Sequence, residues 1–336
     1  MDEGAAQRVR EFWTASGVNA FACTLVHADA RFDEFESVVR EIGRWAHRFS
    51  VADYLTHCRT ANDLDRAFQG GTVGVILRLQ SPGCVDHDLE RLDLLHHLGV
   101  GIFQLTYNTR SLLGDGCAER TDSGLSRLGV AAIKRMNELG MIVDASHCGR
   151  ATSLDAIALS DRPISFTHTG CRAVFDHPRN KTDDELRALG ERDGYVGIYT
   201  IPWALTDDDQ FGMGPFLDHI DHAVGVAGIG RVGIGTDWGA PSPEFPDALR
   251  ASLFESIVGG SLQAAGSSRP KPRALGELSS YRQWRQITRG LVSRGYSDDE
   301  VRGIIGGNFL QFFRRISGQG DEAAAIAGSA RTAAHG

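Results

Sequence analysis

Short apolar runs rich in β-branched residues recur along the chain, each followed by a longer stretch with helical periodicity. The runs cover residues 18–25, 72–80, 100–107, 140–147, 162–168, 195–201 and 231–238. Being apolar on both faces, they read as parallel strands covered by helices rather than as half-exposed antiparallel ones. The stretches between them carry helix signals. Residues 87–99 place Leu89, Leu92, Leu94 and Leu95 on roughly one side. Residues 125–140 end in Gly140, suited to a C-cap, and 297–316 opens with Ser297 as N-cap followed by three acids. Such alternation predicts βαβ units in one parallel sheet.

Two parallel architectures compete. A doubly wound nucleotide-binding sheet would carry G-x-G-x-x-G after a strand, and none is present. Polar residues instead end many of the strands: Gln80, Tyr107, His147, His168 and Asp237. A TIM-type (β/α)8 barrel assembles its active site from such positions, so the α/β barrel is the expected fold. It is expected as a single domain over residues 1–318 with a flexible tail at 319–336, and with a Pro-, Gly- and Ser-rich excursion at 240–278. Only seven strands are recognisable. The missing one would come first, because residues 1–17 read as helix and connection, leaving the first strand incomplete.

Composition narrows the function classes. At 336 residues, with 42% hydrophobic and 23% charged residues, the chain suits one globular barrel. A net charge of −8 offers no basic face for nucleic acid. Six cysteines (Cys23, Cys58, Cys84, Cys117, Cys148 and Cys171) stand without close pairing, as in a reduced cytoplasmic protein. The opening residues are polar and no run approaches a membrane span, so neither a secretory leader nor a membrane partner is expected.

His147 and His168 are the strongest chemical candidates. Each ends a buried strand, in DASH and FTH, and neutral imidazoles at adjacent strand ends can converge on one divalent ion, zinc first among them. The plainer alternative is two separate histidines satisfied by hydrogen bonds. Asp237, in VGIGTDWG, either takes a proton from water or binds the metal, or else forms an Asx-turn leaving its strand. Arg179, in HPRN, has the planar fork that grips a carboxylate, or makes a loop salt bridge. His219 and His222 share a helix face and read as decoration of that helix, His96 and His97 as surface, and Cys148 as core. Trp238 either walls a pocket or packs.

Taken together, GMIVDASH, ISFTHTG followed by HPRNKTDDE, HIDHAVGVAGIGRVGIGTDWG and SDDEVRGIIGGNFLQFF, with LTYNTRSLLGDG, resemble the membrane dipeptidase (renal dipeptidase) family of zinc peptidases. The resemblance implies an amidohydrolase-type barrel that cleaves dipeptides at a two-zinc centre, and by analogy a homodimer. His147 and His168 match the two histidine ligands of one zinc. Asp237 matches the acid that handles the proton of the attacking water. Arg179 matches the arginine that holds the dipeptide's carboxylate, and Asn108 is carried with it as a substrate contact.

Three positions depart from the family pattern. The first-strand H-x-D has no equivalent; His27-Ala28-Asp29 follows a run that aligns with the second strand and is read as coincidental. The glutamate that bridges the zincs is Gln80. A histidine that steadies the tetrahedral intermediate is Tyr107, which can still donate to an oxyanion. A ligand bridging two dications should be anionic, so a single-metal site of His147 and His168, helped by Gln80 or Asp237, is expected. The expected activity is hydrolysis, by metal-bound hydroxide, of a dipeptide or small amide bearing a free carboxylate. The alternatives are a catalytically silent barrel that binds a ligand or partner, and a single-metal tailoring enzyme of another reaction type.

Overall fold

In a computed structural model, which describes residues 3–25, 34–207, 212–237 and 283–317, eight strands form one sheet whose pairings are all parallel. They are β1 (Ala20–Thr24), β2 (Leu55–His57), β3 (Val73–Leu79), β4 (Val100–Gln104), β5 (Ile142–Asp144), β6 (Ser165–Thr169), β7 (Tyr195–Ile198) and β8 (Val232–Ile234). The sheet runs β1-β3-β4-β5-β6-β7-β8, and β2 lies off this path against the first residues of β3. The described helices are α1 (Glu3–Ser16), α2 (Glu34–Val51), α3 (Ala61–Gln69), α4 (Glu90–His97), α5 (Arg127–Leu139) and α6 (Arg150–Leu159). They continue with α7 (Asp183–Glu191), α8 (Pro202–Leu205), α9 (Met213–Ala227), α10 (Trp284–Ser293), α11 (Asp298–Arg302) and α12 (Asn308–Ser317). His27, Ala28, Asp29, Trp238 and the segments 240–278 and 319–336 lie outside the described residues.

The seven strands of the sheet path are the seven apolar runs. The short β2 escapes that reading because its three residues are all only half-buried, too few to carry a period. Residues 3–16 are helical, as expected. The expectation that the missing strand comes first is not met: among the described residues the run 18–25 is the first strand and the eighth strand is β2, so His27-Ala28-Asp29 follows the first strand in the chain and not the second. Among the described residues β1 and β8 do not pair, so the curled sheet stays open between them. Trp13 of α1 stacks flat on Phe21 of β1, ring centroids 4.5 Å apart, and so covers the outer side of that edge strand.

Alternation along the strands divides the core in two. Val75, Leu77, Leu79, Phe103, Val143, Phe166 and Val196 face the surrounding helices. Ile76, Ile102, Ile142 and Tyr195, from four different strands, meet inside the barrel. There they pack on Phe312, Phe313 and Ile316 of α12, which closes the floor. Burial of each such side chain contributes about 1.5–3 kcal/mol. Arg162 Nη1 donates to Ile316 O at 2.7 Å and Ala61 N donates to Ser317 Oγ at 3.1 Å, tethering the floor to the wall.

Local signals end the helices where the sequence places them. Gly140 adopts φ 74° after α5, the left-handed turn that favours glycine. Ser297 and Glu300 form a reciprocal capping box at α11. The single helix expected over 297–316 is instead broken by a π-turn at Gly303–Gly307. Beyond the break, Asn308 Nδ2 donates to Ile229 O at 2.8 Å and Val232 O at 2.7 Å, which pins the start of β8. All six cysteines are unpaired, and no described helix is long and apolar enough to cross a membrane.

Candidate active site

The site begins with two charged residues that point inward from otherwise apolar strands. Arg78 of β3 and Asp144 of β5 meet across the barrel interior, Nη2 to Oδ2 at 2.9 Å, with the carboxylate wholly buried. Asp144 also ties the loop that follows β5 to the irregular middle of β6. Its Oδ1 accepts from Ser146 N at 3.1 Å, Ser146 Oγ at 2.5 Å and Thr167 N at 3.1 Å, and its Oδ2 accepts from Thr167 Oγ1 at 2.6 Å. Ser146 Oγ in turn accepts from His168 N at 3.1 Å. The turn carrying His147 and the bulge carrying His168 are thereby one hydrogen-bonded unit.

The two histidines converge. Their Nε2 atoms lie 2.9 Å apart. His147 Nδ1 lies 2.7 Å from Asn108 Oδ1, and His168 Nδ1 lies 2.9 Å from Thr167 Oγ1 and 3.4 Å from Arg78 Nη2. Both rings are buried. Burial, followed by the Arg179 guanidinium for His147 and the Arg78 guanidinium for His168, holds both well below the ordinary histidine range and so neutral. Neutrality is the state in which imidazole binds a metal. The Tyr107 ring stacks on His147 with centroids 4.4 Å apart.

Arg179 is buried behind this pair. Its Nη1 donates to Ser146 O and its Nη2 to His168 O at 3.3 Å. No carboxylate of the described residues lies within 4.0 Å of it, so the loop salt bridge considered from sequence is absent. Among the described residues the charge of Arg179 has no anionic partner. Asn108 has its carboxamide oxygen turned to His147, and so orients that histidine.

Gln80 and Asp237 form a second couple, Gln80 Nε2 to Asp237 Oδ1 at 3.5 Å, a long contact. Asp237 sits at φ 58°, a left-handed conformation uncommon for a residue with a side chain and concentrated at functional sites. The strand before it approaches β6 closely: a Cβ at Gly235 would stand 1.8 Å from Thr167 O. Glycine is therefore required for β8 to come this near the histidine-bearing bulge.

Other sequence candidates fall away. His219 is wholly buried rather than decorating its helix; its Nδ1 accepts from Cys171 N at 2.8 Å and its Nε2 faces Leu205 O at 3.0 Å. His222 reaches Asp183 instead, so the two do not converge. His97 is exposed and His96 half-buried. Cys148 is core, accepting from Thr106 Oγ1. Sequence reasoning missed Arg78 and Asp144, although opposite charges inside two apolar runs (VGVILRL and MIVDAS) were a visible signal.

The donor set can be tested against a metal ion. Two neutral nitrogens facing one point, each ring steadied through its other nitrogen, fit one ion. Among the described residues no group of three or more His, Cys, Asp or Glu side chains is placed to hold a metal.

The profile of the membrane dipeptidase family (peptidase family M19) matches residues 16–255. Dipeptidase verJ of Clonostachys rogersoniana is 27% identical over 288 residues, covering 84% of this chain and 66% of its own length. Of a second curated dipeptidase the chain spans 56%. The crystal structure of an amidohydrolase from Pseudomonas aeruginosa superposes with a TM-score of 0.80 at 25% identity, over 93% of each chain. The structure of dipeptidase AC, a metallopeptidase of the same family, gives a TM-score of 0.74 at 21% identity, over 92% of this chain and 88% of that one. With the profile covering most of its length, this chain belongs to the membrane dipeptidase family, a family of metal-dependent hydrolases.

Proposed function

We propose that this chain hydrolyses a dipeptide or a small amide bearing a free carboxylate, with one divalent metal ion, zinc in the first instance, held by His147 and His168. The observation that carries the reading is the 2.9 Å separation of the two Nε2 atoms, each on a ring whose Nδ1 is already engaged. A bound ion would supply Lewis acidity, which polarises a carbonyl and acidifies water toward neutrality.

The protein residues divide the remaining work. Arg179, buried and without an anionic partner among the described residues, offers its fork to the substrate carboxylate, and the backbone of Ser146 and His168 that it bridges keeps that anchor fixed relative to the histidines. Asp237 accepts the proton released by water, with the Gln80 amide orienting its carboxylate. Tyr107, held by its stack on His147, donates to the oxygen on which charge develops. A homodimer is proposed by analogy with the family.

The test combines metal analysis with turnover. Purified protein should hold about one equivalent of zinc, lost when His147 and His168 are both replaced by Ala, and should cleave members of a dipeptide panel. Arg179→Met should raise KM for substrates with a free carboxylate more than for their amides. Metal without turnover on any dipeptide or amide would favour the second reading, a ligand-binding barrel, to which the neutral Gln80 lends support. No metal after incubation with zinc, manganese and iron would end the hydrolase reading.

A further inference from the structure

Which nitrogen of His168 carries its proton decides whether its Nε2 can receive a cation, and the hydrogen bonds beneath the ring answer that question. We propose that Asp144 sets the tautomer of His168 through Thr167, acting as a positioning residue that turns the lone pair of Nε2 toward His147. This rests on the reading of the histidine pair as an ion site, but the device itself is a property of the metal-free protein.

The argument is a count of protons. Asp144 is surrounded by five donors: Ser146 N, Ser146 Oγ, Thr167 N, Thr167 Oγ1 and Arg78 Nη2. With only donors around it and a guanidinium among them, the carboxylate accepts throughout. The single proton of the Thr167 hydroxyl is therefore drawn to Asp144 Oδ2 at 2.6 Å, and that of Ser146 to Oδ1. Thr167 Oγ1 is left able only to accept. His168 Nδ1, 2.9 Å away, must supply the proton, which leaves Nε2 bare.

One neighbour argues for the opposite tautomer. Arg78 Nη2 can only donate, and it lies 3.4 Å from His168 Nδ1. That contact is half an ångström longer than the one to Thr167, while the same Nη2 donates to Asp144 at 2.9 Å. Distance gives Thr167 the decision. On the other ring, His147 Nδ1 faces the Asn108 carboxamide oxygen, so its Nε2 is bare as well. Two lone pairs set 2.9 Å apart repel each other, and the arrangement is relieved when a cation joins them. Asp144 thus holds the pair open; in the other tautomer the two rings would satisfy each other by an Nε2–H···Nε2 bond.

The experiment is nitrogen-15 NMR of histidine-labelled, metal-free protein, with His168 assigned through His168→Gln, followed by cobalt(II) titration of the same samples. Wild type should show His168 protonated on Nδ1. Thr167→Val leaves the Arg78–Asp144 pair in place but removes the acceptor, and should move the proton to Nε2 and weaken cobalt binding by about ten-fold or more. Thr167→Ser keeps the hydroxyl and should restore both. Asp144→Asn should also give the Nε2–H form, because its amide can donate to Thr167 and release the hydroxyl proton toward His168. Wild type already protonated on Nε2, or Thr167→Val unchanged, would overturn the proposal. Tautomers that respond as stated in a protein that binds no cobalt would sustain it while removing the metal reading.

Discussion

Replacing Arg78 by Met keeps the length of the side chain and removes only its charge and hydrogen bonds. The structure fixes the expected cost. Both partners of the Arg78–Asp144 pair are buried, with side-chain exposures of 8% and 0%, so water cannot take over from the lost guanidinium. Two unit charges about 4 Å apart attract by about 4 kcal/mol at an effective dielectric near 20. Breaking one side of a buried pair typically costs about 3–5 kcal/mol, because the remaining charge is stranded. Unfolding entropy of about 2.1 cal/mol/K per residue amounts to about 0.7 kcal/mol/K for a chain of 336 residues. The Tm should therefore fall by about 4–7 °C, measured by calorimetry on metal-free protein. Asp144→Asn alone should cost a similar amount, and the double variant should cost at least about 2 kcal/mol less than the sum of the singles. Additivity within about 0.5 kcal/mol would refute the idea that these two charges stabilise one another.

Three further outcomes follow from particular contacts. Gly235→Ala drives a methyl group to 1.8 Å from Thr167 O and 3.1 Å from His168 Cα, so it should destabilise by about 2–3 kcal/mol and loosen any ion bound by the histidines; an unshifted melting curve and unchanged cobalt affinity would contradict this. His219 titrates near 4 through burial, below its unfolded value near 6.5, so its contribution is complete above pH 6.5 and is lost as pH falls toward 4. Wild type should thus lose about 2 kcal/mol more than His219→Gln between pH 7 and pH 5 in urea unfolding, and parallel losses would count against it. Trp13→Ala removes the stack on Phe21 and should cost about 3–5 kcal/mol; hydrogen exchange should quicken in β1, which among the described strands pairs only with β3, before β5 to β7, and uniform quickening would show that α1 supports the whole barrel.

How far the molecule could be read from its sequence depended on whether the information was local. The strands buried on both faces carry their own signal, as do Gly140 at φ 74° and the Ser297 capping box. The half-buried β2 carries none, and the break at Gly303–Gly307 is decided partly by Asn308 reaching back to Ile229 and Val232, about 80 residues earlier in the chain. The histidine pair was legible because each ring ends a strand. The ion pair beneath it was not, because Arg78 and Asp144 become partners only once β3 and β5 curl around a common interior. Arg179 shows the same limit: its sequence context offered a salt bridge or a substrate anchor, and the fold turns two of its donors to the carbonyls of Ser146 and His168.

Among the described residues, the floor of the barrel comes after every strand of its wall in the chain. Ile76, Ile102, Ile142 and Tyr195 belong to strands made early, yet the residues that cover them, Phe312, Phe313 and Ile316, come from α12. While the chain emerges from a ribosome, the strands can pair, but their inner apolar layer stays uncovered until α12 arrives. Interruptions of translation before α12 is made would thus release a chain with most of its sheet and an exposed oily interior, the kind of species that chaperones and proteases recognise. Loss of α1 would leave that interior covered. Quality control in the cell should accordingly be far less tolerant of damage at α12 than at α1.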